Sequence, residues 1–394
     1  MKKYIRQASA ARGFSLVELM IALLIGLMIS IGVVQIFSGT RATYQLDESL
    51  ARAQENGRFA LEFLNQDIRH AGYAGCKRDT TVAIFNNLAY TTNAGLFLTG
   101  IAGAEFVGTA VNNSYTLAAA PTNTTTGWAP ALTAIPGIPG AALAVPGALP
   151  GSDVLVLQRM VPNAWALAPP YVDPGNVYIE PAFVPKVKNG DVMLVADCKS
   201  AVAFMVTNVS PAGVIDHTVS PTTNRCARWT GGLDTANAAT ANCAAAFDYD
   251  VVPSTTAIGK LEAIVFFVAN DATNANRPTL FRRVIAADGT ITDNAALVEG
   301  VENFQVLYGV DNGIPADGTP DQYVPASGVA NFAQVVSVHI GLLVYGVNSS
   351  GAANDMEFDT DTHVVAGTTL TPPANDRRKR RAFNTTIQLR NRSF

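Results

Sequence analysis

One uninterrupted apolar run fixes most of what this 394-residue chain can become. Phe14 to Phe37 is 24 residues long and holds a single charge, Glu18. As a helix it would span about 36 Å, enough to cross a hydrocarbon core of about 30 Å. The preceding MKKYIRQASAARG carries Lys2, Lys3, Arg6 and Arg12 and no acid. The basic side is expected to stay in the cytoplasm and everything after Phe37 to lie outside. A secretory signal has an apolar core of about 7–15 residues followed by a small-residue cleavage site. This run is longer, and no A-x-A site follows it. A plain signal anchor leaves Glu18 unexplained, because a carboxylate costs about 2.5 kcal/mol or more near the bilayer centre and less near the interface.

The block RGFSLVELMIALLI supplies the explanation, because it resembles the processing site of type IV prepilins. The resemblance implies a cut by prepilin peptidase between Gly13 and Phe14, on the cytoplasmic side. It implies N-methylation of Phe14, with the apolar segment retained and Glu18 as the acid at mature position five. Physical chemistry gives the acid a task. The new amino group of Phe14 would have a pKa near 8, and Glu18 lies four residues on, on the same helical face. The carboxylate can pair with its own terminus or with that of a neighbouring subunit, and so set their axial register. It also suits the positive end of the helix dipole.

The helix is expected to continue. No proline precedes Pro121, and apolar or small residues recur at 46, 50, 53, 57, 60, 64 and 68, close to a heptad seam. Glu48, Arg52, Glu55, Arg58, Glu62 and Arg69 fall mostly on other faces. One helix from Phe14 to about His70 would be about 85 Å long, apolar all round at first and then amphipathic, packing on a sheet. Gly26 and Ser30 form a small-xxx-small pair that permits close helix approach. Gly32 and Gly39 are read as bends or local melting. ENGRFALEFLNQDIRHAGYAGC resembles the second half of the N-terminal helix in PilW-type minor pilins.

The remainder reads as a β-rich head. Strand-like runs fall at 153–160, 191–197, 201–209, 260–268, 279–286, 304–310, 335–345 and 382–390, with turns that favour antiparallel pairing. The Ala/Pro/Gly-rich segment 116–151 is expected to form turns and extended loop rather than core, and 234–247 is a second such loop. VADCKSAVAFMVTNV, LVEGVENFQVLYGVDNGIPADGTPDQYV and RRKRRAFNTTIQLRNR also resemble PilW. Segments 78–150 and 211–258 depart most and are expected to carry surface specificity.

Hydrophobic residues make up 48% of the chain and charged residues 15%, against about 25% charged in typical soluble domains. That excludes a disordered chain, and a single long apolar run excludes a multi-pass membrane protein. The net charge of −4 becomes −8 without residues 1–13, which speaks against a dedicated nucleic-acid binder. The one dense basic patch, Arg377, Arg378, Lys379, Arg380 and Arg381, is read either as a contact for DNA or lipid phosphates or as a solvated strand edge. Asp311, Asp317 and Asp321 are the best metal candidates. Gly313 and Pro315 break the alternation of a calcium loop, so a turn is favoured there. No HExxH, GxSxG or P-loop pattern is present, and His339 and His70 read as structural. Cys76, Cys198, Cys226 and Cys243 allow three pairings. A short Cys226–Cys243 loop with Cys76–Cys198 is favoured for an exported domain, with free buried thiols as the alternative.

These readings describe one α+β, type IV pilin-like unit. Its parts are a leader at 1–13, a transmembrane or pilus-core helix at 14–37, an amphipathic continuation at 38–72 and a head at 73–394. The resemblance implies a non-enzymatic minor pilin without cofactors. Its expected partners are other minor pilins, the major pilin, prepilin peptidase and the inner-membrane assembly platform. It would start in the inner membrane with a periplasmic head and pass to the pilus, where twitching motility, adhesion and DNA uptake reside. A type II secretion pseudopilin and a pilus-tip adhesin are the rival readings.

Overall fold

The computed structural model describes residues 15–75, 84–86, 88, 99–135, 147–161, 165–169, 176–196, 201–218, 220, 223–224, 256–273, 277–286, 290–346 and 359–391. Its dominant element is a single helix, α1 (Leu16–Arg69, 54 residues), about 80 Å long. Gly32 and Gly39 do not interrupt it, which corrects the expectation of local melting there. An isolated glycine costs a helix only about 1 kcal/mol relative to alanine, and the cooperativity of a long helix absorbs that. Ser30 turns its hydroxyl back onto the Gly26 carbonyl at 2.8 Å. Two glycines at the far end, Gly72 and Gly75, take positive φ after the helix stops.

The second half of α1 is held by the stripe that the spacing marks out. Ala53, Gly57, Ala60, Leu64 and Ile68 are buried, and Leu46 and Leu50 are half-buried. Leu64 and Ile68 have no exposed surface, and each contributes about 2 kcal/mol by leaving water. The charges lie outside the stripe, where Arg52 reaches Glu48 one turn back at 2.7 Å.

The head is built from sheets that are mostly antiparallel. The larger sheet contains β1 (Ile101–Phe106), β2 (Val154–Met160), β3 (Val192–Ala196), β4 (Ala201–Met205), β5 (Ala257–Asp271), β6 (Arg277–Ala286) and β7 (Ile291–Glu299). The long β5 organises it. One edge pairs first with β3 and then with β2, and the other pairs with β6, which passes on to β7. A four-stranded sheet follows in the order Gln322–Val324, β8 (Val301–Val310), β10 (Val335–Tyr345), β11 (Arg380–Gln388), where β9 is Gln322–Val324 itself. Two short pairs are parallel, Ile84–Asn86 with β4 and Ser114–Thr116 with Thr368–Thr371.

Helix α1 lies along β10 and β11 with β7 at its flank. Two close approaches set its height. A Cβ on Gly346 would sit 2.0 Å from the Ser49 carbonyl oxygen, so the residue after β10 can only be glycine. A Cβ on Gly57 would meet the Phe383 ring at 2.4 Å. Further along, the Asn391 amide donates to the Ala71 carbonyl at 3.1 Å. The main core fills the space between α1, β8, β10 and one face of β2, β5 and β6, with Phe304, Ile340, Leu342, Leu157 and Phe266 at its centre.

The opposite face of the larger sheet is covered by a segment expected to stay out of the core. Trp128, Leu132, Ile135 and Ala148 are buried against Val154, Val156, Val265 and Phe267. The expectation of loop without core at 116–151 is therefore corrected in part. Its described residues hold little regular structure, yet Trp128, Leu132 and Ile135 among them are the lid of a sheet. The run 201–209 also differs, because it breaks after Met205 and resumes as Asn208–Val209 in another small sheet.

The two large sheets meet at Asp153. Its carboxylate accepts the Phe106 N–H at 3.0 Å and the Val306 N–H at 2.9 Å, while its own N–H donates to the Phe304 carbonyl at 2.7 Å. Burial pushes this carboxyl well above the usual carboxylate range, against the two amide bonds that would lower it. The end of α1 is clamped in a similar way. Asp67 accepts Arg159 Nη1 at 2.9 Å and Arg282 Nε at 2.7 Å, and Arg159 Nε donates to Glu262 at 2.9 Å. Asp67→Ala leaves two largely buried guanidinium groups short of a partner, so chemical denaturation should read a loss of about 3–5 kcal/mol. A loss below about 1 kcal/mol would show that the clamp does not hold the helix.

Candidate functional site

The candidate site is the beginning of α1. The helix is preceded by Ser15 in extended conformation. The Ser15 N–H, one of the donors that a helix start leaves unpaired, donates to Glu18 Oε2 at 3.0 Å. Glu18 is solvent-exposed and sits in the first turn, where a negative charge is favourable. Gly13 and Phe14 lie outside the described residues, so their relation to Glu18 rests on sequence alone.

Every large apolar side chain from Leu16 to Phe37 is at least half exposed. This stretch is apolar and long enough to cross a membrane by length and composition, and the head does not cover it. The two halves of α1 thus have opposite surroundings. The first half offers apolar surface on all sides, which water cannot accommodate and a bilayer or a bundle of like helices can. The second half has already spent its apolar stripe on the head.

The other residues singled out from the sequence divide clearly. Cys76, Cys198, Cys226 and Cys243 lie outside the described residues, as does 234–247. Asp311, Asp317 and Asp321 do come together in one loop, but their oxygens serve the loop backbone. Asp321 Oδ2 accepts the N–H groups of Asn312 and Gly313 at 2.9 and 2.8 Å, and Asp311 Oδ2 accepts that of Gly318 at 2.7 Å. Asp317 accepts both the N–H and the hydroxyl of Thr319, which hold its carboxyl below the usual range. Among the described residues no group of three or more His, Cys, Asp or Glu is placed to hold a metal. The geometry is that of a turn stapled by its own acids. His70 caps α1, with Nδ1 2.8 Å from the Gln66 carbonyl oxygen. His339 is half-buried on β10 against Thr386, and burial lowers its pKa.

The basic run does not form one patch. Arg380 is fully buried and bonds Glu302 at 2.5 Å, Asp359 at 3.1 Å and Asp376 at 2.5 Å. Arg378 is mostly buried, bonds Asp376 at 2.6 Å and lies over the Tyr345 ring at 4.9 Å. Arg377 and Arg381 are exposed, and Arg381 is the second residue of the edge strand β11. Two of the five cations are therefore committed to the interior, and the reading of the whole run as a phosphate contact is narrowed accordingly. Sequence reasoning missed their acids, which stand 2 to 78 residues away. It also missed Asp67, Arg159 and Arg282. No local motif signals such pairings.

A long N-terminal helix on a strand-rich antiparallel head makes this an α+β, pilin-like protein, with an apolar helix half suited to anchoring it in a membrane. Comparison with protein families makes the class particular. Residues 265–391 match the family "Type IV Pilus-assembly protein W" (PilW), and residues 8–34 match the "Prokaryotic N-terminal methylation motif". Over these segments the chain matches a PilW-family type IV pilin, a structural class of protein related to the type IV pilus. No match was found among curated proteins or among solved structures. The PilW segment runs from mid-β5 through β11, so it takes in the strands that carry α1 and the acids that neutralise Arg380.

The ion cluster makes a pH prediction. Although burial would raise it, hydrogen bonds and charge from Arg378 and Arg380 hold the Asp376 carboxyl far below the usual carboxylate range. A carboxyl depressed in the folded state stabilises the fold fully above its unfolded value, about 3.9, and loses that contribution as pH falls toward the folded value. The stability gap between wild type and Asp376→Asn should therefore be constant above about pH 5 and shrink below about pH 4. Denaturant titrations at several pH values would measure it, and a gap that widens on acidification would refute the assignment.

Proposed function

We propose that this chain is a minor pilin of a type IV pilus. It is made in the inner membrane with its N-terminus in the cytoplasm and its head in the periplasm. Prepilin peptidase cuts between Gly13 and Phe14 and methylates Phe14. The mature subunit then leaves the bilayer for the helical core of a pilus. It acts at low copy number with other minor pilins to start assembly of the major pilin on the inner-membrane platform, in a complex at the tip. It is a structural subunit and a peptidase substrate rather than an enzyme.

The observation that carries this reading is the division of α1. A bare apolar half with one acid at its start continues without a break into a half locked onto the head. Such a rod can exchange lipid for other apolar helices without disturbing the head. The Ser15–Glu18 bond adds a detail. One carboxylate oxygen serves the chain's own helix start, which leaves Oε1 for an ammonium group. In an apolar bundle that group would be the methylated amine of Phe14, on the same subunit or its neighbour. The match of residues 265–391 to PilW favours a pilus over a secretion pseudopilus.

The test is mass spectrometry of the N-terminal peptide from sheared surface fibres and, separately, from membranes. N-methyl-Phe14 in the fibres is expected. The same peptide found only in membranes would point to an initiating or pseudopilus role, and Met1 in both fractions would sink the proposal. Glu18→Val should lower the amount in fibres at least tenfold while leaving cleavage intact. Gly13→Ala should slow or block cleavage, and normal maturation of that variant would place the cut elsewhere.

A further inference from the structure

A half-open cavity of about 550 Å³ lies where the end of the β5–β6 hairpin meets the end of β10. Its volume falls within the range of about 300–1,000 Å³ usual for small-molecule sites. It lies apart from the apolar helix; it includes Arg378 of the basic run, and its wall at 119–123 belongs to the segment expected to carry surface specificity.

The chemistry of the lining is asymmetric. Arg277 and Arg378 both line the cavity, and among the described residues no carboxylate does. Arg378 lies over the Tyr345 ring at 4.9 Å and pairs through Nη2 with Asp376 at 2.6 Å and Glu302 at 3.3 Å. Arg277 bonds Glu299 through Nη1 at 3.1 Å, and Glu299 is 41% exposed. Its remaining guanidinium hydrogens have no bonded partner among the described residues. Neutral polar groups complete the wall. Asn123 and Asn270 exchange hydrogen bonds, Asn270 N–H to Asn123 Oδ1 at 2.8 Å and Asn123 Nδ2 to the Asn270 carbonyl at 3.3 Å. Asn270 Oδ1 is a buried acceptor without a partner, and an acceptor left in that state costs about 1–3 kcal/mol. Pro278 and two alanines supply apolar surface.

We propose that this cavity binds an acidic sugar, a pyranose bearing a carboxylate, as part of a polysaccharide. The carboxylate is taken by the planar donors of Arg277 and Arg378, a match of geometry as well as charge. Sugar hydroxyls find the polar groups of Asn123, Asn270 and Thr122 that line the wall. The C–H face of the ring lies on the proline and alanines. A lone inorganic anion fits less well, because it fills a small part of the volume and uses none of the amides. This inference stands apart from the proposed role in assembly, which neither supports it nor depends on it.

The test uses the full chain in an amine-oxide detergent, which carries no sugar headgroup. Digalacturonate, N-acetylneuraminic acid, neutral galactobiose and inorganic phosphate are titrated by saturation-transfer NMR and calorimetry. At least one acidic sugar should bind at least tenfold more tightly than galactobiose and than phosphate. Arg277→Gln should weaken that binding at least tenfold with an unchanged melting temperature. Glu299→Gln, which removes the competing carboxylate and keeps Arg277, should bind as well as wild type or better. The proposal is overturned if neither acidic sugar binds, if phosphate or galactobiose binds equally well, or if a folded Arg277→Gln binds like wild type.

Discussion

The burial of one stripe of α1 is the constraint on which the rest of this structure depends. Ala53, Gly57, Ala60, Leu64 and Ile68 give up their contact with water to the sheet beneath them. The sheet is shaped for that purpose. Glycine stands where the helix backbone passes closest, at Gly346. Branched and aromatic side chains of β8, β10 and β11 fill the space elsewhere. At the end of the stripe Asp67 converts a non-directional contact into a fixed one, because its two arginine partners come from β2 and β6 of the larger sheet. The helix therefore belongs to both sheets, and Asp153 joins those sheets to each other.

This arrangement separates the two tasks of the helix. Up to Phe37 its side chains face outward in every direction, so the helix is free to change its surroundings. Beyond Leu46 it is part of a core and cannot. The acid that starts the helix and the acid that ends its buried stripe, Glu18 and Asp67, mark the limits of these two regimes. The first is exposed and holds a backbone N–H, and the second is buried and holds two guanidinium groups.

Local physics was readable in the sequence, and long-range pairing was not. The stripe of α1 follows from 3.6-residue periodicity, and the strand 335–345 follows from a run of branched apolar residues bounded by turns. β7 escaped because most of its residues are exposed and include Thr292, Asp293 and Asn294, which do not look like a half-buried strand. The lid formed by Trp128, Leu132 and Ile135 escaped because its composition suggests loop and its regular pieces are only two or three residues long; burial there depends on a sheet face assembled from distant residues. The basic run misled for the same reason. A charge read locally is a surface group, and only the fold brings Glu302, Asp359 and Asp376 around Arg380. At the candidate site the acid and the apolar run could be read directly, because their meaning depends on neighbours four residues apart.

The course of α1 has a mechanical consequence. Ser49 meets Gly346 just past β10, Gly57 meets Phe383, Arg69 lies beside Thr385 and Thr386, and Ala71 meets Asn391. The helix thus advances along β11 in the same direction and at matching levels, instead of crossing it. A pull along the rod loads this seam lengthwise. All its contacts then share the force and must slip together, whereas a crossing helix would peel away one contact at a time. A chain held by its helix and pulled by its head would resist best along that one axis.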